Sequence, residues 1–264
     1  MWFEELMDDC KNALRTCYKN KGIFIPTMIQ MGLYVFTIIV AVIGFVIWVI
    51  SNLRFTLMPE TYNDGFSRFV PAIIGGLLIY FFLVIINIVV EVGSIRLYDL
   101  AEQGIRPKTK YFMEGVKKYF FRVLGLTLGI HGILLILMPI IFVVYIIYMI
   151  TIGVLTAGWG LTLLVVFIGV YLNIWTIAVV LEDMRAIKAV TTSIRFGHQY
   201  FWSMFVLTLS LILLSAYVTY AFGTLIALLA GWFILAVITT YFKVVFVVFY
   251  KRKRNEFYAL QEVK

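Results

Sequence analysis

Five side chains able to hold an ion or pass a proton lie inside otherwise apolar stretches: Asn87, Glu91, His131, Asn173 and Lys243. A polar or ionisable group is costly in hydrocarbon, so each is a candidate functional residue. Asn87 and Glu91 are one helical turn apart, and Asn173 takes a similar place two apolar runs later, with Glu182 and Asp183 just beyond it. His131 lies about two turns into the third apolar run, ahead of Pro139, and Lys243 about two turns from the end of the last. Together they predict a cytoplasm-facing polar cavity, with Glu91 or Glu182 pairing with Lys243, Arg96, Arg185 or Arg195. The same residues have a structural reading, in which the asparagines bond between helices, Lys243 snorkels to the surface and the acids are satisfied at the interface.

Catalytic constellations are missing. The chain has no HExxH, no GxSxG, no pair of aspartates within an apolar run and no GxxxxGK[ST]. His198, the only other histidine, falls in a loop, so neither histidine has a metal-ligand set. No enzyme, metal or cofactor is expected. Cys10 and Cys17, the only cysteines, share one helical face with Phe3, Leu6, Met7, Ala13 and Leu14 and read as small packing residues, with lipidation or redox chemistry as the alternative.

The elements that must position these residues follow from composition. The chain has 264 residues, 63% hydrophobic and 14% charged, with a mean hydropathy of +1.00. Too few polar residues remain to cover a water-soluble core, so the bilayer is the expected solvent. Six apolar runs approach or exceed the ~20 residues a helix needs to cross hydrocarbon: Ile25 to Ile50, Val70 to Val92, Val123 to Ile150, Leu161 to Leu181, Phe201 to Tyr220 and Gly223 to Phe249. They do not alternate, which favours helices over a barrel.

Of the 22 Lys and Arg, all but Arg54 and Arg68 fall in the N-terminal segment, the loops at 96–122 and 182–202, or the C-terminal end from Lys243 on. The positive-inside rule then places both termini in the cytoplasm of a plasma-membrane protein. It also accounts for the net charge of +8 without nucleic-acid binding. The basic run Lys251, Arg252, Lys253 and Arg254 is positioned to meet anionic lipid headgroups. The first 24 residues are charged and amphipathic and do not read as a cleavable signal peptide.

Two decamers repeat: "YFFRVLGLTL" from Tyr119 and "YFWSMFVLTL" from Tyr200. Each follows an amphipathic segment, "PKTKYFMEGVKKYFFRV" from Pro107 or "EDMRAIKAVTTSIRFGHQYFW" from Glu182, and precedes an apolar run. A third amphipathic segment, Trp2 to Tyr18, precedes the first run. The decamer is therefore expected to be an elbow between a surface helix and the next span, with Trp2, Tyr119, Phe120, Tyr200, Phe201 and Trp202 at the headgroup level. The predicted architecture is an all-α integral membrane fold. It has six transmembrane helices arranged as three hairpins, each preceded by a cytoplasmic amphipathic interfacial helix. It forms one domain over 1–264, with parallel repeat-like units at about 1–95, 105–181 and 182–250 and a short basic tail at 251–264. Gly125 and Gly129 form a GxxxG, and Gly223, Ala227 and Gly231 repeat the spacing, so close helix packing is expected at both, within the bundle or, as the alternative, between protomers.

Two stretches carry a family resemblance. "GSIRLYDLAEQGIRPKTKYFMEGVKKYFFRVLGL" and "LEDMRAIKAVTTSIRFGHQYFWSMFVL" resemble the paired signatures of the YciC-like and DUF975-like bacterial multi-span proteins, and of the membrane domain attached to some glycerophosphodiester phosphodiesterases. The likeness covers roughly residues 93–209 and implies a helical membrane fold. It carries no catalysis over, because no soluble phosphodiesterase domain accompanies the membrane segments here. The expected function is a non-enzymatic accessory, scaffold or lipid-interacting subunit, partnered by lipids, by another membrane protein or by a second copy of itself. The alternative is a transporter or channel for a small solute or lipid through the polar cavity.

Overall fold

A computed structural model describes residues 2–56, 65–148, 159–222 and 225–262, and among these the chain is all helical. In order, the helices are α1 (Trp2–Lys19), α2 (Ile25–Thr56), α3 (Gly65–Glu102), α4 (Thr109–Tyr148), α5 (Trp159–Leu172), α6 (Trp175–Glu182), α7 (Ala186–Gln199), α8 (Phe201–Ala221) and α9 (Leu225–Glu262). A 3₁₀ turn at Lys21–Phe24 joins α1 to α2. Pro26 sits in the first turn of α2, where its missing N–H leaves no helical bond unmade.

Among the described residues, five segments are long and apolar enough to cross a membrane: Lys21–Ser51, Val70–Glu102, Thr162–Glu182, Phe201–Ala221 and Ala230–Leu260. Such a chain is a multi-pass membrane protein. The remaining expected span, Val123 to Ile150, belongs to α4, and its last two residues lie outside the described residues. The span expected over Leu161 to Leu181 is interrupted at Asn173 and Ile174, which divide it into α5 and α6.

Helix α3 packs against both α6 and α9; α2 and α8 flank α9, α4 lies along α3, and α5 packs on α8 and α7. The first helix and the C-terminal end of the last lie together at one end of the bundle, because α1 packs on α9 and its acids reach the basic run within α9. We call this the terminal end. The core is concentrated towards it: every residue from Val244 to Tyr250 is buried, as are Ile177 to Val180, Ile88, Val92, Ile95 and Tyr98. Phe196 of α7 is a hub, with ring centroids of Tyr200, Tyr250, Phe257 and Phe249 at 4.7, 5.1, 5.4 and 5.8 Å. Towards the other end large apolar side chains such as Phe36, Phe45, Leu78 and Ile136 are exposed, a surface that only hydrocarbon would solvate well.

The elbow expected at Tyr119 does not form. α4 runs unbroken from Thr109 to Tyr148, so the second amphipathic segment is about the first four turns of a long helix and not a separate surface helix. The elbow at Tyr200 does form, with φ −111° and ψ 34° separating α7 from α8. Close packing within the bundle is absent at the first GxxxG: a Cβ placed on Gly125 or Gly129 would meet open space. Gly223 and the side chain of Ala227 lie outside the described residues.

Candidate functional site

Three of the five polar candidates line one cavity. Glu91 projects from α3, Asn173 from the break between α5 and α6, and Lys243 from α9, around a space of about 290 Å³ walled by Trp175, Leu211 and Phe246. The break is held in place by Asn173, whose Nδ2 donates to Thr208 Oγ1 of α8 at 3.0 Å. Neither Glu91 nor Lys243 forms an ion pair among the described residues, although each is only partly exposed. Lys243 and Glu91 each precede by eight residues the ion pair of Lys251 with Asp99, at 3.0 Å, so the cavity lies about 12 Å below that layer. An acid, a base and an amide around a space of this size, beside an interrupted helix, can hold water, seat a small polar solute or relay a proton.

The other two candidates are elsewhere. Asn87 Oδ1 accepts from Gln30 Nε2 of α2 at 2.9 Å, and Gln30 also donates to Tyr34 Oη at 2.8 Å. Asn87 therefore ties α2 to α3, as its structural reading expects. His131 Nδ1 lies 2.7 Å from the Thr127 carbonyl oxygen of its own helix, and its ring packs against Tyr80 at 5.8 Å. A second polar tie joins α9 to α2, where Thr240 Oγ1 donates to Thr27 Oγ1 at 2.9 Å, with both residues buried. Gln30, Thr27 and Thr240 were not singled out from sequence, although "IPTMIQ" at the mouth of the first span places two of them one turn apart.

The expected partners of Glu182 are also different. Its carboxylate accepts from two tyrosines of α9, Tyr250 Oη at 2.6 Å and Tyr258 Oη at 2.5 Å, and not from a basic residue. The next residue, Asp183, ends α6 in the left-handed conformation at φ 56°. It is gripped from α4 by Lys118 Nζ at 3.0 Å and Arg122 Nη1 at 2.6 Å. Those two cations, Lys118 first, hold the Asp183 carboxyl below the usual carboxylate range.

The basic run is not a free headgroup platform. Lys251 bonds to Asp99 and Glu102, Arg252 to Glu5 at 3.1 Å and Asp9 at 2.7 Å, and Lys253 to Glu5 at 2.9 Å and Glu256 at 2.8 Å. Three of the four cations thus clasp α1, α3 and α9 together, and of the four only Arg254 has no carboxylate partner among the described residues. The sequence does not reveal this because all of these acids but Glu256 are distant along the chain. Asp9 is buried, which pushes its carboxyl up to about 6 even though Arg252 pulls the other way.

The expected interfacial aromatics divide by position. Trp2 and Trp202 are exposed, Phe120, Phe201 and Tyr200 are partly buried, and Tyr119 is buried, its ring flanked by the cations of Lys118 at 5.0 Å and Arg122 at 5.8 Å. Tyr119 is thus a packing residue and not a headgroup contact. Cys17 is buried and Cys10 half-buried; burial pushes both thiols up, Cys17 to about 11, as befits packing residues. Comparison with protein-family models, with curated proteins and with solved structures finds no match to this chain.

Proposed function

We propose that the protein is a non-enzymatic plasma-membrane protein, crossing six times with both termini in the cytoplasm, that acts as a lipid-interacting accessory or scaffold subunit. The observation that carries this reading is the three-sided shape of α1. Leu6, Asp9, Ala13 and Cys17 are buried against the bundle. An adjoining face leaves Phe3, Met7, Leu14 and Tyr18 exposed, and Glu4, Asp8, Asn12, Arg15 and Lys19 occupy the third. A helix clasped to a bundle with an apolar strip beside its buried side and charges opposite suits a membrane interface. Parity supports the sixth crossing, since termini at one end require an even number and α4 is the remaining long helix. The basic bias of that end supports its placement in the cytoplasm.

The test is depth measurement by spin labelling in liposomes, in a background of Cys10→Ala and Cys17→Ala. A label at Leu14→Cys is expected to be reached by oxygen and shielded from a water-soluble nickel chelate, and one at Asp8→Cys to behave the opposite way. Equal water access at both positions would sink the proposal.

A second reading, a transporter or channel for a small solute or lipid, is favoured by the meeting of Glu91, Asn173 and Lys243 at a helix break. On that reading Glu91→Gln or Lys243→Met abolishes flux in liposomes while the folded protein stays abundant. On the structural reading the same changes lower thermal stability in detergent and alter no flux.

A further inference from the structure

A second cavity, of about 440 Å³, opens between α2, α3 and the start of α4. Its long walls are apolar: Ile25, Ile29 and Leu33 from α2, and Ile85, Val89 and Leu97 from α3. Phe112 of α4 closes it on one side. That ring is seated on Gly93, where a Cβ would come within 2.3 Å of it, so the wall exists because residue 93 has no side chain. Lys108, at the foot of α4, also lines the cavity and is exposed with no carboxylate partner among the described residues. Lys21 and Arg106, both exposed, are the chain neighbours of Gly22 and Pro107, which line the same mouth.

The dimensions select the occupant. Ile25 to Leu33 spans eight helical residues, about 12 Å, and Ile85 to Leu97 spans twelve, about 18 Å. One leaflet of hydrocarbon is about 15 Å deep. The groove therefore runs from a cationic rim to near mid-bilayer, the path of one acyl chain below its headgroup. Lys108 lines the rim, and Lys21 and Arg106 adjoin lining residues along the chain, so the mouth carries positive charge that complements a phosphate.

We propose that this groove is a specific seat for an anionic phospholipid, with one acyl chain against Ile29, Val89 and Phe112 and the headgroup phosphate at Lys108. The site deepens the lipid-interacting reading and rests on it. It also relocates the headgroup contact, from the basic run that is spent on ion pairs to the short link before α4.

The test is native mass spectrometry of the full chain in mild detergent, titrated with phosphatidylglycerol or with phosphatidylcholine of equal chain length. One strongly retained phosphatidylglycerol is expected, in preference to phosphatidylcholine. Lys108→Glu should cut that preference at least fivefold and Lys108→Arg should keep it, in line with the attraction of one surface cation to anionic lipid. Ile29→Trp, which fills the groove, should remove the retained adduct of either lipid; if that variant does not fold, the Lys108 pair decides. Equal retention of the two lipids by the wild-type chain, or an unchanged preference in Lys108→Glu, overturns the proposal. So does a dimer that Ile29→Trp dissociates, which would mean a second copy fills the groove. Loss of the lipid preference with the Leu14 label still shielded from water would remove this site and leave the position of α1 standing.

Discussion

The two copies of the decamer share five of their ten residues and have opposite backbone outcomes. At Tyr119 the helix runs straight through; at Tyr200 it breaks. Side-chain environments are less divergent: the third aromatic is exposed in both, Phe121 at 78% and Trp202 at 66%, and the Phe before it is partly buried in both. The difference arises in the preceding turn. Four residues before each Tyr stands Gly115 or Phe196, followed by Val116-Lys117-Lys118 or Gly197-His198-Gln199. Gly115 lets α4 lie directly on α3, where a Cβ would come within 2.9 Å of Arg96 Cβ. Phe196 instead plugs into the aromatic cluster of α9 and holds α7 across the bundle end. The break is therefore set by what the preceding turn packs against, and not by the repeated residues.

Exchanging those packing residues should break the contrast most. Phe196→Ala empties the centre of the cluster and is expected to cost about 3–5 kcal/mol, read as a loss of thermal stability in detergent. The same change at Phe121 serves as its control, and an equal effect there would refute the hub. Next in size are the glycines. Gly115→Ala crowds Arg96, and Gly197→Ala places a Cβ 2.6 Å from the Val170 carbonyl oxygen, a backbone atom that cannot step aside. Each is expected to cost about 1–3 kcal/mol, with the Gly197 variant the worse of the two in the same melts.

A smaller effect should distinguish a buried acid from an exposed one by pH. The Asp9 carboxyl has a folded value of about 6, raised from 3.8, so the folded state binds the proton more tightly than the unfolded one. Its contribution is fully present below about pH 4 and lost as pH rises through about 6. Asp9→Asn should remove that part of the slope between pH 4 and 6.5, while Asp183→Asn, on an exposed acid held low, should leave it in place. An unchanged slope in Asp9→Asn would count against the buried clasp. The smallest expected changes are Phe121→Ser and Trp202→Ser, each within about 0.5 kcal/mol in detergent. A large loss at only one of them would show that the copies differ in their outward faces as well.

What could be read from the sequence was whatever depends on local composition. Continuous apolar runs gave helices long enough to cross a membrane, and polar residues inside them led to Glu91, Asn173 and Lys243. Pairings between distant segments were not legible. Nothing local in "KRKR" shows that Arg252 meets Asp9, or that Lys251 meets Asp99 and Glu102. Nor could the amphipathic pattern before Tyr119 separate a surface helix from the first turns of a long one, because both have the same 3.6-residue period. Asn87 and Asn173 looked alike by depth, yet Gln30 claims one and Thr208 the other, and only the second borders the cavity.

The clasp between the ends of the chain also sets an order of assembly. Asp9 and Arg252 are 243 residues apart. At the ~5–20 residues per second of synthesis, α1 is complete roughly 12–50 seconds before its partner exists. Through that interval its buried face, with Leu6, Ala13 and Cys17, has no bundle to cover it, and the membrane surface is the nearest apolar shelter. Docking of α1 is thus a closing step, available only to a chain whose last helix has been made.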